Sequence, residues 1–314
     1  MKTMKTVLSS TTLLAVPLVV TAMVPMGTVQ IVGRINVAHR GASAYAPEHT
    51  APAYRLAIEQ GADYIEQDLA VTRDGVLVSI HDPTLERTTD VEALFPDRYT
   101  IDAKGQKRWP VMDFTLAEIK RLDAGSWFVA EFAGQRILTW DEAVDVVAGR
   151  AGLYPEMKTP ELYRERGIDI VALFADAVRR RGLDVDTPIR GRAPVVLQSF
   201  DEQAVRDAAR LLPNVPRTFL IGSEAMADRW LSSVEQIRTV STFATGIGPA
   251  KDLVARRPEI VRHAHDAGLT VTPYTFRSAD TGAFTSVTEE MEHFLYTLGV
   301  DALFTDHPDR FPRR

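Results

Sequence analysis

The chain has 314 residues, 45% of them hydrophobic and 25% charged, a composition that suits one large globular domain. With 36 Lys and Arg against 42 Asp and Glu the net charge is −6, which gives no basic footprint for nucleic acid. Cysteine is absent, which excludes disulfides, thiolate zinc sites, cysteine nucleophiles and a lipoprotein anchor.

The N-terminus reads as a separate object. Lys2 and Lys5 precede residues 6–33, which carry no charge and include the run VLSSTTLLAVPLVVTAMV. A basic start, a short apolar core and small residues near Ala22 describe a secretory signal peptide. Pro17 and Pro25 interrupt the run and leave it short of the roughly 20 residues that a spanning helix needs. The expectation is a leader over residues 1–22, removed on export, and a domain over residues 34–314. That domain would be periplasmic or secreted, with no stable membrane insertion.

The first predicted element is a buried strand, Ile35–Ala38, which runs directly into His39-Arg40-Gly41. A small-residue loop follows, then a helix over about 50–60 stopped by Gly61. Strand, polar residues at its C-terminal end, loop and helix make a βα unit. In parallel α/β folds, ligands sit at the carboxyl ends of the strands. His39 beside Arg40 places a proton-transfer group next to a fixed anion binder.

The next stretch, DYIEQDLAVTRDGVLVSIHD over residues 63–82, reads as two strands around Asp74-Gly75, a type I′ hairpin signal. A two-residue loop pairs Arg73 with Val76, sets Leu69 opposite Ile80 and sets Asp68 opposite His81. Side chains alternate along a strand, so Glu66 and Asp68 share a face that His81 joins. The register predicts Cβ atoms of Asp68 and His81 about 4.5–5.5 Å apart.

An irregular segment spans about 83–138, too long for an ordinary loop. Beyond it one motif repeats. AVDVVAG reads as helix and GLYPEMK as a strand ending in Glu156 and Lys158; residues 165–181 are helical, and PVVLQSF is a strand ending at Gln198 and Ser199. Helix 201–212, strand RTFLIG, helix 224–231, strand STFATGIG and helix 250–267 follow, then strand LTVTPYTF, helix 286–298 and strand DALFTDHP. Strand starts near 35, 63, 152, 194, 217, 241, 269 and 301 make eight units. Eight βα units closing on themselves form a TIM (β/α)8 barrel, with a small insertion after the strand-2 hairpin. The count disfavours an open doubly wound sheet, and neither a dinucleotide fingerprint nor a P-loop is present.

The polar residues then fall at one level, at the strand ends. Glu66, Asp68 and Glu156, in a chain without cysteine, suit a hard divalent cation, Mg²⁺ or Ca²⁺. Arg40 and Lys158 supply positive charge, and two histidines supply a base and an acid: the makings of phosphoryl-transfer chemistry.

The segments VAHRG, PEHT, ADYIEQDLAVTRDG, IHD, PEMK, QSFD, PYTFR and LFTDHPD occur in order from about residue 35 to the C-terminus. Together they resemble the glycerophosphodiester phosphodiesterases, most closely the periplasmic bacterial branch. The resemblance implies a metal-dependent barrel hydrolase that cleaves deacylated phospholipids, such as glycerophosphocholine or glycerophosphoethanolamine, to an alcohol and sn-glycerol 3-phosphate. It makes His39 and His81 the acid–base pair, and Glu66, Asp68 and Glu156 the ligands of one cation. That cation would be Ca²⁺ by preference for an extracytoplasmic site, with Mg²⁺ as the alternative. Arg40 and Lys158 become phosphate clamps, and Gln198 and Tyr274 substrate contacts. His49 stands where many members have Asn, a feature this branch shares. Tyr274 and Phe276 stand where many carry Trp. The insertion would cover the mouth and recognise glycerol, its aromatics Phe95, Tyr99, Trp109, Trp127 and Phe128 either walling the substrate or, for most of them, forming a mini-core. The sequence allows a homodimer. Two other readings remain: a phospholipase D acting on lysolipids or sphingolipids, and a non-catalytic periplasmic binding protein. The second leaves the two histidines without a purpose.

Overall fold

The computed structural model describes residues 33–184, 188 and 191–314, so the expected leader lies outside the described residues. Among these, no helix is long and apolar enough to cross a membrane. Eleven strands form among the described residues: β1 (Ile35–Ala38), β2 (Tyr64–Val71), β3 (Leu77–Ser79), β4 (Thr100–Ile101), β5 (Lys107–Arg108), β6 (Gly152–Met157), β7 (Leu197–Ser199), β8 (Arg217–Ile221), β9 (Gly246–Pro249), β10 (Thr270–Val271) and β11 (Ala302–Thr305).

Eight of them run parallel in the order β10-β9-β8-β7-β6-β2-β1-β11, while β3 pairs antiparallel with β2 and β4 with β5. The two ends of this order also meet. Phe276 bridges Thr305, Asp301 N donates to Val271 O at 3.0 Å, and Phe276 N donates to Phe304 O at 2.8 Å. The chain is therefore the TIM (β/α)8 barrel that the repeat count predicted.

Alternation along the strands sorts the side chains into two layers. Ile65, Leu69, Leu153, Met157 and Leu197 belong to a core cluster shared with the surrounding helices. The intervening positions turn inward: Tyr64, Tyr154 and Phe304 pack in T-shaped contacts inside the barrel, with centroids 5.7 and 5.1 Å apart. A Cβ on Gly152 would lie 2.3 Å from the Tyr64 ring, so only glycine admits that ring there. Two residues further along the same faces come Glu66 and Glu156. The inward side chains thus change from aromatic packing to charge at the carboxyl ends of the strands.

Some elements differ from expectation. STFATGIG is not a strand throughout: a helix, Val234–Ser241, ends inside it and β9 begins only at Gly246. Its alternation competes with an amphipathic helix that starts at the Ser233 cap, whose side chain accepts from Gln236 N. The expected helix 250–267 is two, Lys251–Arg256 and Glu259–Asp266, parted at Pro258, which has no N–H to continue a ladder. The insertion is more ordered than an irregular segment, with helices Val91–Leu94 and Leu116–Ile119 and the β4–β5 hairpin.

The β2–β3 register differs by one residue. Thr72 N donates to Val76 O, which leaves Arg73, Asp74 and Gly75 as a three-residue loop, and Leu69 pairs with Ser79. Thr72 Oγ1 accepts from Val76 N and donates to Asp74 Oδ1 at 2.6 Å, and Gly75 takes φ +80°. This is the type I turn with a left-handed third residue that competes with type I′ at Asp-Gly. Asp68 therefore lies level with Ile80, whose N–H it accepts at 2.9 Å, and not with His81.

Candidate active site

A cavity of about 440 Å³ opens at the carboxyl ends of the strands, and every residue predicted for the site lines it: His39, Arg40, Glu66, Asp68, His81, Glu156, Lys158, Gln198 and Tyr274. His81 reaches it despite the shifted register, because β3 ends at Ser79 and the chain leaves the ladder before the imidazole.

Glu66, Asp68 and Glu156 are buried, and one oxygen from each lies within 4.8 Å of the others. Parallel pairing sets Asp68 beside Glu156, and Glu156 beside Gln198. Three carboxylates that close repel one another. Burial, with Asp68 next to it, pushes Glu156 up to about 8, and the same causes raise Glu66 well above the usual carboxylate range. Burial would raise Asp68 too, but Lys158, His49 and Arg40 outweigh it and hold Asp68 well below that range. An all-oxygen donor set with one firmly charged member and two awaiting compensation fits a hard divalent cation.

Cations surround this set. Lys158 Nζ lies 3.1 Å from Glu156 Oε1 and 3.7 Å from Asp68 Oδ1; Arg40 Nε lies 3.3 Å from Asp68 Oδ2. Arg40 N donates to Glu66 Oε2 at 2.7 Å. His49 is fully enclosed, its Nε2 2.9 Å from Asp68 Oδ2 and its Nδ1 3.0 Å from Tyr54 Oη. It orients the carboxylate from behind. Gln198 is 2% exposed, and its Oε1 has no hydrogen-bond partner among the described residues.

Each cleft histidine has a carboxylate on Nδ1. His39 Nδ1 donates to Asp306 Oδ1 at 2.7 Å, and His81 Nδ1 donates to Asp82 Oδ1 at 2.6 Å. A carboxylate only accepts, so the proton resides on Nδ1 and Nε2 is left free for the cleft. Burial and the Arg40 charge push His39 below its ordinary value, against the pull of Asp306. Burial would raise Asp306, but the His39 hydrogen bond and nearby charges hold it low.

The sequence reading assigned no role to Asp306, Asp82 or Phe200. Asp306 and Asp82 each lie inside a recognised segment, LFTDHPD and IHD; the signal was a carboxylate at a strand exit with no other duty. Phe200 and Tyr274 meet edge-to-face at 5.8 Å and wall one side of the cavity. Phe276 does not: it is fully buried against Phe294. None of the five insertion aromatics lines the cavity. Trp109 is 2% exposed, touches Tyr99 and donates from Nε1 to Phe95 O at 2.8 Å, so these three form a mini-core, while Trp127 is exposed and packs on Phe128.

Comparison with known proteins agrees with this fold and names a family. The model of the glycerophosphoryl diester phosphodiesterase family matches residues 39–310. The glycerophosphodiester phosphodiesterase of Bacillus subtilis is 34% identical over 285 residues, covering 88% of this chain and 85% of its own. That of Haemophilus influenzae is 31% identical, covering 88% of each chain. Among solved structures, the Agrobacterium tumefaciens glycerophosphodiester phosphodiesterase superposes with a TM-score of 0.65 at 30% identity, over 88% of this chain and 98% of that one. An Oleispira antarctica phosphodiesterase, solved in complex with the product sn-glycerol-3-phosphate, superposes with a TM-score of 0.68 at 27% identity, over 88% and 94%.

Proposed function

The chain belongs to the glycerophosphoryl diester phosphodiesterase family, and from that premise we propose that it hydrolyses glycerophosphodiesters to sn-glycerol 3-phosphate and an alcohol by His39/His81 acid–base catalysis. The observation that carries this reading is the placement of two carboxylate-backed imidazoles in one cavity with three buried carboxylates and two cations.

Glu66, Asp68 and Glu156 would hold one divalent cation, Ca²⁺ by preference. When bound it supplies charge neutralisation at the non-bridging oxygens of the phosphate. Arg40 and Lys158 bind the same group from the side of β1 and β6. The histidines stand on different strand exits, which suits in-line displacement. His39, kept neutral below its ordinary pKa, takes a proton at Nε2 from the nucleophile, and His81, carrying a proton on both ring nitrogens for this step, gives the one on Nε2 to the departing alkoxide. The nucleophile is water or the neighbouring 2-hydroxyl of the glycerol, the latter favoured by being held beside phosphorus. Attack by the hydroxyl gives a cyclic phosphate that water opens with the roles of the histidines exchanged. Phe200 and Tyr274 offer an apolar wall to the organic part, and the unpartnered Oε1 of Gln198 suits a hydroxyl donor. The charge-free run after Lys2 and Lys5 supports export to the periplasm or medium, where Ca²⁺ is available.

The test is release of glycerol 3-phosphate from glycerophosphocholine with and without chelator. Release that stops on chelation and returns with Ca²⁺ or Mg²⁺ supports the reading. Absence of release with either cation would overturn it, and faster turnover of micellar lysophosphatidylcholine would favour a phospholipase D.

A further inference from the structure

Arg87 lies in the insertion, outside the cavity, yet its guanidinium makes three bonds to two carboxylates. Its Nε donates to Asp82 Oδ2 at 2.5 Å, and its two terminal nitrogens donate to Glu48 at 2.6 and 3.1 Å. Asp82 holds His81 through its other oxygen at 2.6 Å. Glu48 in turn accepts from Arg40 at 3.1 Å. A continuous path therefore runs from His81 through Asp82, Arg87 and Glu48 to the loop after β1.

The ordinary reading of such a cluster is a surface ion pair, which contributes little. Three observations set this one apart. The Glu48 side chain is 12% exposed; burial would raise it, but Arg87, Arg40 and His49 bring it down to about 2. The Arg87–Glu48 contact is bidentate, the geometry that fixes orientation as well as distance. Finally, the loop it grips is strained: Arg40 and His49 adopt φ of 57° and 59°, a region that non-glycine residues hold only when their surroundings enforce it. Arg87 thus ties the residues that follow β3 to the positive-φ loop after β1.

We propose that Arg87 is a positioning residue for His81, acting through Asp82 and anchored by Glu48. This rests on the reading of His81 as a proton-transfer group. His81 and Asp82 both lie past the end of β3, so the strand ladder does not hold either of them. The fork supplies the second fixed point.

Lysine keeps the charge but cannot make three bonds in one plane. Arg87→Lys should therefore lower kcat on glycerophosphocholine by about 10–100-fold, the scale of an ångström-sized misplacement, with KM and melting temperature little changed. Because p-nitrophenolate needs little protonation to leave, the loss should shrink on a p-nitrophenyl diester, and it should vanish in the His81→Ala background. A kcat within about twofold of wild type, or an equal loss with and without His81, would overturn the proposal. If His81→Ala itself retains full kcat, the reading of His81 fails, and the tether with it. If His81→Ala is impaired but Arg87→Lys is not, only the tether fails.

Discussion

His39 donates from Nδ1 to Asp306 across the seam where the last strand of the barrel meets the first, β11 pairing with β1 from Ile35–Ala302 to Ala38–Thr305. The bond closes the catalytic end of the barrel and selects the tautomer of His39 in one contact. Asp306→Asn keeps the shape but can donate to Nδ1, which drives the proton onto Nε2 and blocks base catalysis. The expected loss is at least about 10²-fold in kcat.

The same environment predicts a pH dependence. Burial and Arg40 lower His39, so a base that works in its neutral form keeps working below its ordinary value of about 6.5. The acid limb of kcat/KM should lie below about pH 6.5. A limb displaced to the alkaline side of that value would contradict the role.

Removal of the cation should expose the repulsion among the three carboxylates. Glu156 is pushed up to about 8 and Glu66 is raised as well. A carboxyl with a raised folded pKa contributes stability at low pH and loses it as pH rises through the folded value. Chelated protein should therefore lose melting temperature between about pH 5 and pH 8, and Ca²⁺ should restore it with proton release near neutrality. Asp68 is depressed and its loss lies on the acid side, outside this window. Flat melting temperatures across the range, or no response to cation in calorimetry, would contradict the assignment, as would unchanged uptake by Glu66→Gln.

The aromatic groups divide by location. Trp109→Ala removes a buried indole and should cost about 3–5 kcal/mol of stability, with kcat per folded molecule unchanged. Phe200→Ala should raise KM about fivefold, the loss of about 1 kcal/mol of aromatic contact. Trp127→Ala, at an exposed site outside the cavity, should leave KM alone. Steady-state kinetics with thermal melts on the three variants distinguishes them.

Much of this was legible in the sequence because strand alternation carries it. Tyr64, Glu66 and Asp68 occupy one face by period two, as do Tyr154, Glu156 and Lys158, so the inward charges follow from counting. The hairpin was misread because Asp74-Gly75 satisfies two turn types, and only the side chain of Thr72, bonding Val76 N and Asp74, decides between them. Asp306, Asp82 and Arg87 escaped for another reason. None of the three lines the cavity and each bonds another side chain; for Asp306 that partner, His39, stands 267 residues away, where no local pattern marks it.

The most direct measurement is the leaving-group dependence of kcat for wild type, His39→Ala and His81→Ala on glycerophosphocholine and on a p-nitrophenyl diester. Each histidine should cost about 10²–10⁴-fold on the natural diester. Because p-nitrophenolate departs with little protonation, His81→Ala should be partly rescued on the aryl substrate and His39→Ala should not. Equal losses for both variants on both substrates would contradict the assignment of acid and base, and activity unchanged by either would contradict the account of the site.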